Sequence, residues 1–453
     1  MNDKAISVRT LAASILQKID KGVPSEDLLE EAFKKHNLID EDKRLLTELV
    51  YGTLRWRLFL DKHLQQTSKR RLFQIDHFVL QVLRVAAYQI LRLERIPHYS
   101  AVNEAVNSVK RSKQHPAAPF VNGVLRNLVR KVEKGITPSK EPETMSSKSI
   151  AEIFSHPLWL VKRWIEQFGE NETIAICRAN NATPPTTIRV SLLASTRDNL
   201  LSQLKQELSP EQIIGPTKAS PQGIMLQRTG PVPNVPGFTD GFFVVQDESS
   251  QLVTFALDPQ PNETILDVCA APGGKTTHIA ERMQNTGKIS ACDIKKKRLK
   301  LIEENAKRMG ITNFKIRIHD ARKKFFTKFD RVLLDAPCSG SGVIRRYPES
   351  KWIRGEEELS KLSKQQLQMI QNAASAVKPG GVLIYSVCSI HPEEGEEVVY
   401  NLLDTYKFFE IEDLKNHLPP PAHIHVSEDG FFKSLPTSSG MDGFFIARLR
   451  RGK

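Results

Sequence analysis

From about residue 263 onward the chain alternates short apolar runs with amphipathic stretches of helical period, and this leaves few architectures open. TILDVCA is followed by KTTHIAERM and KISACDI by KKRLKLIEENAKRMG; NFKIRIHD and RVLLDAP then lead to KQQLQMIQNAASAV, and VLIYSVCS to EEGEEVVYNLLDTY. Unbroken β-branched and aliphatic runs of this length fit strands covered on both faces, and a helix between two of them returns the chain to start a parallel neighbour. The expected fold is a right-handed, doubly wound parallel sheet. FFEIED and GFFIARLR follow with no helical pattern between them, which implies an antiparallel pair at one edge.

The preceding residues read differently. Up to about residue 135 apolar positions recur at three- and four-residue spacing, as in VRTLAASILQKI, RLLTELVYGTLRWRLFLDKHL and HFVLQVLRVAAYQILRL, so 1–135 is expected to be a helical bundle. Pro97 interrupts it, and Ser100 is placed to cap the next helix. The stretch 136–149 is rich in Pro, Ser and charge and reads as a linker. Residues 150–240 mix helices (HPLWLVKRWIEQFG, TRDNLLSQLKQEL) with short strands (TTIRVSLLA, GIMLQR, GFFVVQD), a small α+β domain that leaves 241–453 for the wound sheet.

A net charge of +13 over 453 residues favours a polyanionic partner. Between Tyr51 and Gly135 there are 16 Lys and Arg against 5 Asp and Glu, so the excess is concentrated in the helical part and nucleic acid is favoured. No apolar run approaches the ~20 residues of a membrane span, and MNDKAISVRTLAASILQKI lacks the apolar core of an export signal, so a cytoplasmic protein is expected. Five scattered cysteines without a CxxC pair argue against a disulfide framework or a metal centre.

Ligands of wound sheets sit at the carboxyl ends of the strands. Here those ends carry Asp267, Asp293, Asp320 and Asp335, and the first strand opens through Gly273 and Gly274 onto a helix. The near-match to a phosphate-binding loop at GGKTT fails because Cys269 stands where that motif needs glycine, and G-x-G-x-x-G is missing. One acid per strand end beside a small glycine loop fits adenosine without a triphosphate, as in S-adenosylmethionine. Asp293 falls 26 residues after Asp267, about where an acid grips a ribose diol.

Cys338, after the fourth strand, and Cys388, at the end of the fifth, should open onto the same cleft. Cys177, Cys292 and Cys269 read as small buried hydrophobes. Two thiols beside an acid suit methylation of a pyrimidine at C5. That carbon becomes nucleophilic enough to take a sulfonium methyl only after a thiolate adds to C6, and a base must then remove the C5 proton before the thiolate can leave. An acid at the N3 edge, where Asp335 is placed, stabilises the developing charge.

RLLTELVYGTLRWR, IPHYSAVNEAV and FVNGVLRN, with GFFVVQDESSQLV, LDVCAAPGGKTTHIAE, LLDAPCSGSGVIRRYPESKW and IYSVCSIHPEE, closely resemble the Fmu/Sun (RsmB-type) 16S rRNA (cytosine-C5) methyltransferases over nearly the whole chain. The resemblance implies a NusB-like all-α RNA-binding bundle, a small α+β domain and a Rossmann-like class I S-adenosylmethionine-dependent methyltransferase. It makes Cys269, Ala270, Ala271, Pro272, Gly273, Gly274 and Lys275 the cofactor loop, with Asp293 on the ribose, Asp320 near the adenine, and Asp335 between cofactor and base. It assigns the nucleophile to Cys388 and product release to Cys338. Val387 stands where the family usually has threonine. The implied partner is 16S rRNA, with no membrane, no metal and no required protein partner. The same chemistry on another rRNA site or on tRNA is the nearer alternative; a non-catalytic NusB-like antitermination factor is the one of a different class.

Arg345, Arg346, Lys351, Trp352 and Arg354 follow Cys338 closely, and aromatic rings interleaved with cations beside a catalytic loop are expected to meet RNA phosphates and bases.

Overall fold

The computed structural model describes residues 6–135, 145–438 and 440–453. Two compact units form: residues 1–183 with Ile344–Gly355, and Pro184–Val343 with Glu356–Lys453. Most of the expected linker, 136–144, lies outside the described residues, and its last residues already open a helix at Ser147. Among the described residues no helix is long and apolar enough to cross a membrane.

The first unit is helical: α1 (Val8–Ile19), α2 (Ser25–His36), α3 (Asp40–Arg55), α4 (Arg57–Thr67), α5 (His77–Arg92), α6 (His98–Lys110), α7 (Ala118–Glu133), α8 (Ser147–Ile153) and α9 (Leu158–Asn181), the last broken at Gly169, whose φ is 79°. α5 is its centre, burying Val79, Leu83, Ala86 and Ile90 together with Gln81, Arg84 and Gln89. A helix covered on every face needs partners for its polar groups. Arg84 forks Asp61 through two 2.7 Å bonds, Gln81 donates to Asp20 at 2.7 Å, and Asp76 caps the helix by accepting from the Phe78 and Val79 amides. Helix α6 starts at His98, so Ser100 lies inside it and does not cap it: Pro97, with φ already near −60°, takes the N-cap position.

The second unit begins with an antiparallel sheet of order β2-β3-β1-β4, built from β1 (Thr186–Val190), β2 (Ile213–Pro216), β3 (Gly223–Leu226) and β4 (Phe243–Val245). Helix α10 (Arg197–Glu207) packs Leu200 and Leu204 against Ile188, Val190 and Ile224. Helices α8 and α9 lie in the first unit and strands β1 to β4 in the second.

The larger sheet follows. Its elements are α11 (Glu248–Leu257), β5 (Thr264–Val268), α12 (Gly274–Arg282), β6 (Lys288–Asp293), α13 (Lys296–Arg308), β7 (Phe314–Ile318) and β8 (Phe329–Asp335). The chain then enters the first unit for Ile344–Gly355, which contains α14 (Ser350–Ile353). It returns as α15 (Glu356–Ser375), β9 (Val377–Val387), α16 (Glu396–Thr405), β10 (Phe409–Ile411), β11 (Phe432–Ser434) and β12 (Phe444–Arg451). Strand order is β10-β12-β9-β8-β5-β6-β7, with β5 to β9 paired in parallel and β12 antiparallel to β9, β10 and β11. The expected terminal antiparallel pair is present, with β12 inside the sheet and β10 at its edge. Because β5 lies between β6 and β8, the strand order reverses there and opens a crevice at the carboxyl ends.

Arg189 joins the two sheets. Fully buried on β1, it donates to Gln246 Oε1 (3.0 Å), to the Gly274 carbonyl (2.9 Å) at the start of α12, and to Thr277 Oγ1 (3.2 Å) and Glu281 Oε1 (2.8 Å).

Candidate active site

The turn after β5 is shaped by its own backbone. The Ala270 amide donates to the Cys292 carbonyl (2.8 Å) and the Gly273 amide to the Ala270 carbonyl (2.9 Å), while Gly273 sits at φ 103° as the N-cap of α12. A Cβ on Gly273 would lie 3.0 Å from the Ile302 Cα, so both conformation and space require glycine. The loop therefore leaves the first amides of α12 facing the crevice, where a helix N-terminus favours a carboxylate or phosphate.

The strand-end acids surround this loop. Asp267 is fully buried; Thr276 Oγ1 donates to its Oδ2 (2.6 Å), and among the described residues its Oδ1 has no hydrogen-bond partner. Burial pushes its carboxyl up to about 7, against the opposing effects of Thr276 and Lys275. Asp293 accepts from the Lys295 amide (3.0 Å) and, through a long 3.4 Å contact, from the Ala271 amide, which leaves acceptor capacity for hydroxyls. Asp320 lies past the end of β7, and the Arg322 fork (2.8–3.2 Å) holds its carboxyl down to about 2. Asp335, ending β8, accepts from Lys275 Nζ (2.6 Å) at one oxygen and Ser386 Oγ (2.8 Å) at the other. A buried acid with an unpartnered oxygen, a second acid with spare acceptors and a helix N-terminus are the groups that the ammonium, ribose diol and carboxylate of S-adenosylmethionine need. The residues present fit that cofactor.

The thiols meet beside Asp335. Cys338 Sγ and Cys388 Sγ are 3.3 Å apart, both half-buried, on loops that follow the neighbouring strands β8 and β9. The Cys388 sulfur and burial push the Cys338 thiol well up, so Cys338 keeps its proton. Burial also raises Cys177 and Cys292 to about 12 and Cys269 beyond that, which removes them as nucleophiles.

Glu394, fully buried between the two loops, was not singled out from the sequence. Its carboxylate accepts from the Ser339 amide (2.8 Å), Ser339 Oγ (2.5 Å), Ser389 Oγ (2.6 Å) and Gln366 Nε2 (3.1 Å), fixing the residue after each thiol to one group. Tyr385 Oη, at the carboxyl end of β9, donates to the Glu394 carbonyl (2.6 Å). An acid six residues past a cysteine, after His-Pro, is the only local trace of this.

The RNA-contact expectation for Arg345, Lys351 and Trp352 is corrected. In the first unit Lys351 is 2% exposed and donates to the carbonyls of Arg55 (2.9 Å) and Ser155 (2.7 Å). Trp352 Nε1 donates to the Leu54 carbonyl (2.6 Å), and Arg345 is 5% exposed. A buried Lys351 amine that burial pushes well down and that donates to two carbonyls is not available to a phosphate. Arg346 and Arg354 are half-buried in the same segment.

The wound sheet, the glycine turn and the strand-end acids define an S-adenosylmethionine-dependent methyltransferase. Three family models match: 16S rRNA methyltransferase RsmB/F over residues 254–450, the NusB family over 6–130, and a ferredoxin-like domain of RsmF/B-like methyltransferases over 156–233. A Bacillus subtilis protein named "probable ribosomal RNA small subunit methyltransferase B" is 38% identical over 99% of both chains, and a Synechocystis protein of the same name is 34% identical over 98% of this chain and 100% of its own. The crystal structure of PH0851 superposes with a TM-score of 0.81 at 28% identity, covering 98% of this chain and 99% of that one. The chain belongs to the RsmB/F family of small-subunit ribosomal RNA methyltransferases.

Proposed function

We propose that this protein methylates C5 of a cytosine in 16S rRNA through a covalent bond between Cys388 and C6 of the base. The observation that carries the reading is the pair of sulfurs 3.3 Å apart at the ends of the neighbouring strands β8 and β9, the first of which ends in Asp335. S-adenosylmethionine supplies the methyl group, held by the loop Cys269–Lys275 with Asp267 and Asp293. Asp335, oriented by Lys275 and Ser386, faces the N3 edge of the base and in its acid form gives a proton to N3 as Cys388 adds to C6, taking it back when the C6–S bond breaks. Once the Cys388 sulfur is bonded to carbon it no longer carries charge, and its share of what raises Cys338 disappears, while burial and Glu394 remain. Cys338 then gives its own proton to solvent, the thiolate so formed takes the C5 proton, and the C6–S bond breaks with Cys388 leaving as thiolate.

RNA contact is assigned to the helical unit. Between α6 and α7 lies an open groove of about 1100 Å³ lined by Tyr99, Asn103, Lys110, Asn122, Arg126 and Arg130 among others. Tyr99 is 77% exposed, and a free aromatic face among cations and amides suits a single-stranded segment. The setting is the cytoplasm, on free 16S rRNA or an early small-subunit particle, with no metal.

Cys388→Ala abolishes methyl transfer, whereas Cys338→Ala accumulates a protein–RNA complex that survives SDS. The reverse pattern would exchange the two roles. Bisulfite mapping of 16S rRNA from cells lacking the protein identifies the nucleotide, and an unchanged profile rules this substrate out.

A further inference from the structure

Between Ile294 and Lys328 the chain carries 13 Lys and Arg against 3 Asp and Glu, in a protein whose whole net charge is +13. The fold gathers this excess at one end of the wound sheet. β6 and β7 pair in register up to Asp293 and Ile318, and the His319 amide donates to the Asp293 carbonyl (3.2 Å), so the loops leaving the two strands start side by side. The first runs directly into Lys295–Lys297 at the start of α13, the second into Arg322–Lys324. Some of these cations are used within the unit. Arg298 donates to the Ala271 carbonyl of the cofactor loop (2.9 Å), Arg308 to the Phe238 and Phe243 carbonyls (2.6 and 2.9 Å), Arg322 to Asp320 and Lys328 to the Ser375 carbonyl. Lys296, Lys297, Lys315, Arg317, Lys323 and Lys324 are exposed and make no ion pair among the described residues. Lys315 and Arg317, two residues apart, share one face of β7, the edge strand. Like charges gathered without acids between them repel one another, and a polyanion relieves that repulsion. Phe326 stands 96% exposed in the same loop as Lys323 and Lys324, while its neighbour Phe325 packs on the His319 ring with centroids 4.2 Å apart. A free aromatic face among cations suits a stacked base better than an acidic protein surface.

We infer that the β6–β7 end of the sheet is an RNA-contact surface of the catalytic unit's own, with these cations on phosphates and Phe326 against a base. The inference rests on the reading of RNA as the substrate, and it deepens that reading by giving the strand a path. At ~4.8 Å per strand, the ends of β6 and β7 lie two to four strand spacings, roughly 10–20 Å, from the ends of β8 and β9 that carry the sulfurs. The nucleotides held here are therefore neighbours of the target base in the same RNA, lying past the cofactor, and not the target itself. Phosphate contacts are blind to sequence, so the surface supplies affinity and orientation, and the choice of cytosine is made elsewhere.

The test combines Lys296→Ala, Lys297→Ala, Lys323→Ala and Lys324→Ala in the full-length chain and measures binding to a 16S rRNA transcript by filter retention over about 50–300 mM KCl. With each lysine on one phosphate, the slope of log K against log salt falls in magnitude by about 2–3, and affinity at about 100 mM salt drops at least tenfold. Arginine at the same four positions keeps the parent slope. Phe326→Ala weakens binding about fivefold or more at an unchanged slope, because a stacked base releases no counterions. Calorimetric stoichiometry with S-adenosylmethionine counts the folded molecules, so every affinity is expressed per folded protein. A quadruple alanine variant that keeps the parent slope overturns the surface, and so does an arginine set that loses binding as the alanine set does. Binding requires no methyl transfer, so the two readings fail separately. A parent protein that methylates 16S rRNA while the four alanines leave its slope unmoved rejects the surface alone. A parent that leaves 16S rRNA unmethylated, yet loses slope with the four lysines, keeps the surface and rejects the substrate reading.

Discussion

Cys338 Sγ and Cys388 Sγ lie 3.3 Å apart across two adjacent parallel strand ends, and the thiol of Cys338 is pushed well up. The Cys388 sulfur is the largest cause of that, ahead of burial. Deleting the Cys388 sulfur should therefore let Cys338 ionise more readily, which is also the state proposed for it once Cys388 is bonded to the base. In Cys388→Ala, alkylation of Cys338 by iodoacetamide, followed by mass spectrometry over about pH 7 to 10, begins at lower pH than in the parent protein. An unmoved or raised onset means that burial alone sets the thiol, and the proposed change of role during the reaction is lost.

Glu394 is predicted to be as necessary as the thiols it spaces. Glu394→Ala leaves four donors facing a cavity, so the catalytic unit loses about 2–5 kcal/mol in urea unfolding. Glu394→Gln, whose amide can still accept at one atom while the two serine hydroxyls reorient, loses about 1 kcal/mol. Methyl transfer falls in both, more steeply in the alanine variant. Full activity in a folded Glu394→Ala protein would show that the loops hold the sulfurs without it.

Much of this arrangement was legible in the chain, for identifiable reasons. Strand–helix alternation is a local pattern, so the wound sheet, the acids Asp267, Asp293 and Asp335 at strand ends, and both thiols could be placed before any contact was known. Partnerships between distant residues left no such trace. Glu394 precedes the run of acids that opens α16 and reads as an acidic helix start, although its carboxylate is bonded to Ser339, 55 residues earlier. Lys351 and Trp352 look like a nucleic-acid surface because charge and aromaticity are local properties, whereas the carbonyls that Lys351 meets belong to residues 296 and 196 positions away. β2 was missed because IIGP is a short, half-exposed edge strand containing glycine and proline.

Arg189 ties the small sheet to the cofactor loop through the Gly274 carbonyl, and its loss should be felt in both. Burial raises Glu281 and lowers Arg189, so the pair is held against a desolvation penalty on each side. Arg189→Met leaves the Glu281 carboxylate buried with its cation gone and lowers stability by about 3–5 kcal/mol; adding Glu281→Met recovers most of that loss. Affinity for S-adenosylmethionine falls in both variants, because the Gly274 carbonyl at the start of α12 loses the bond from Arg189 and keeps the one from Thr277 Oγ1 (3.1 Å). Calorimetric titration with the cofactor and urea unfolding separate the two effects. A double variant no more stable than the single one rejects the desolvation account.

Asp267 gives the site a pH dependence whose sign follows from its burial. Its carboxyl is raised from 3.8 to about 7 by desolvation, with Thr276 and Lys275 only partly opposing. Below the unfolded value both states are protonated and the contribution to stability is fully present. As pH rises from 3.8 towards 7 the unfolded chain ionises first, so stability is lost over that window and levels off above it. Three units correspond to an upper limit of about 4 kcal/mol. Asp267→Asn removes the decline, and unfolding curves of the two proteins converge at low pH and separate, with the variant more stable, above neutrality. Cofactor binding runs the other way, because a ligand carrying positive charge favours the ionised carboxylate. Affinity for S-adenosylmethionine should rise through about pH 7 in the parent, tracked by calorimetry between about pH 5.5 and 8.5. It should lose that rise in Asp267→Asn. An affinity that is flat across neutrality in the parent protein means that Asp267 is not the acid that meets the cofactor's charge.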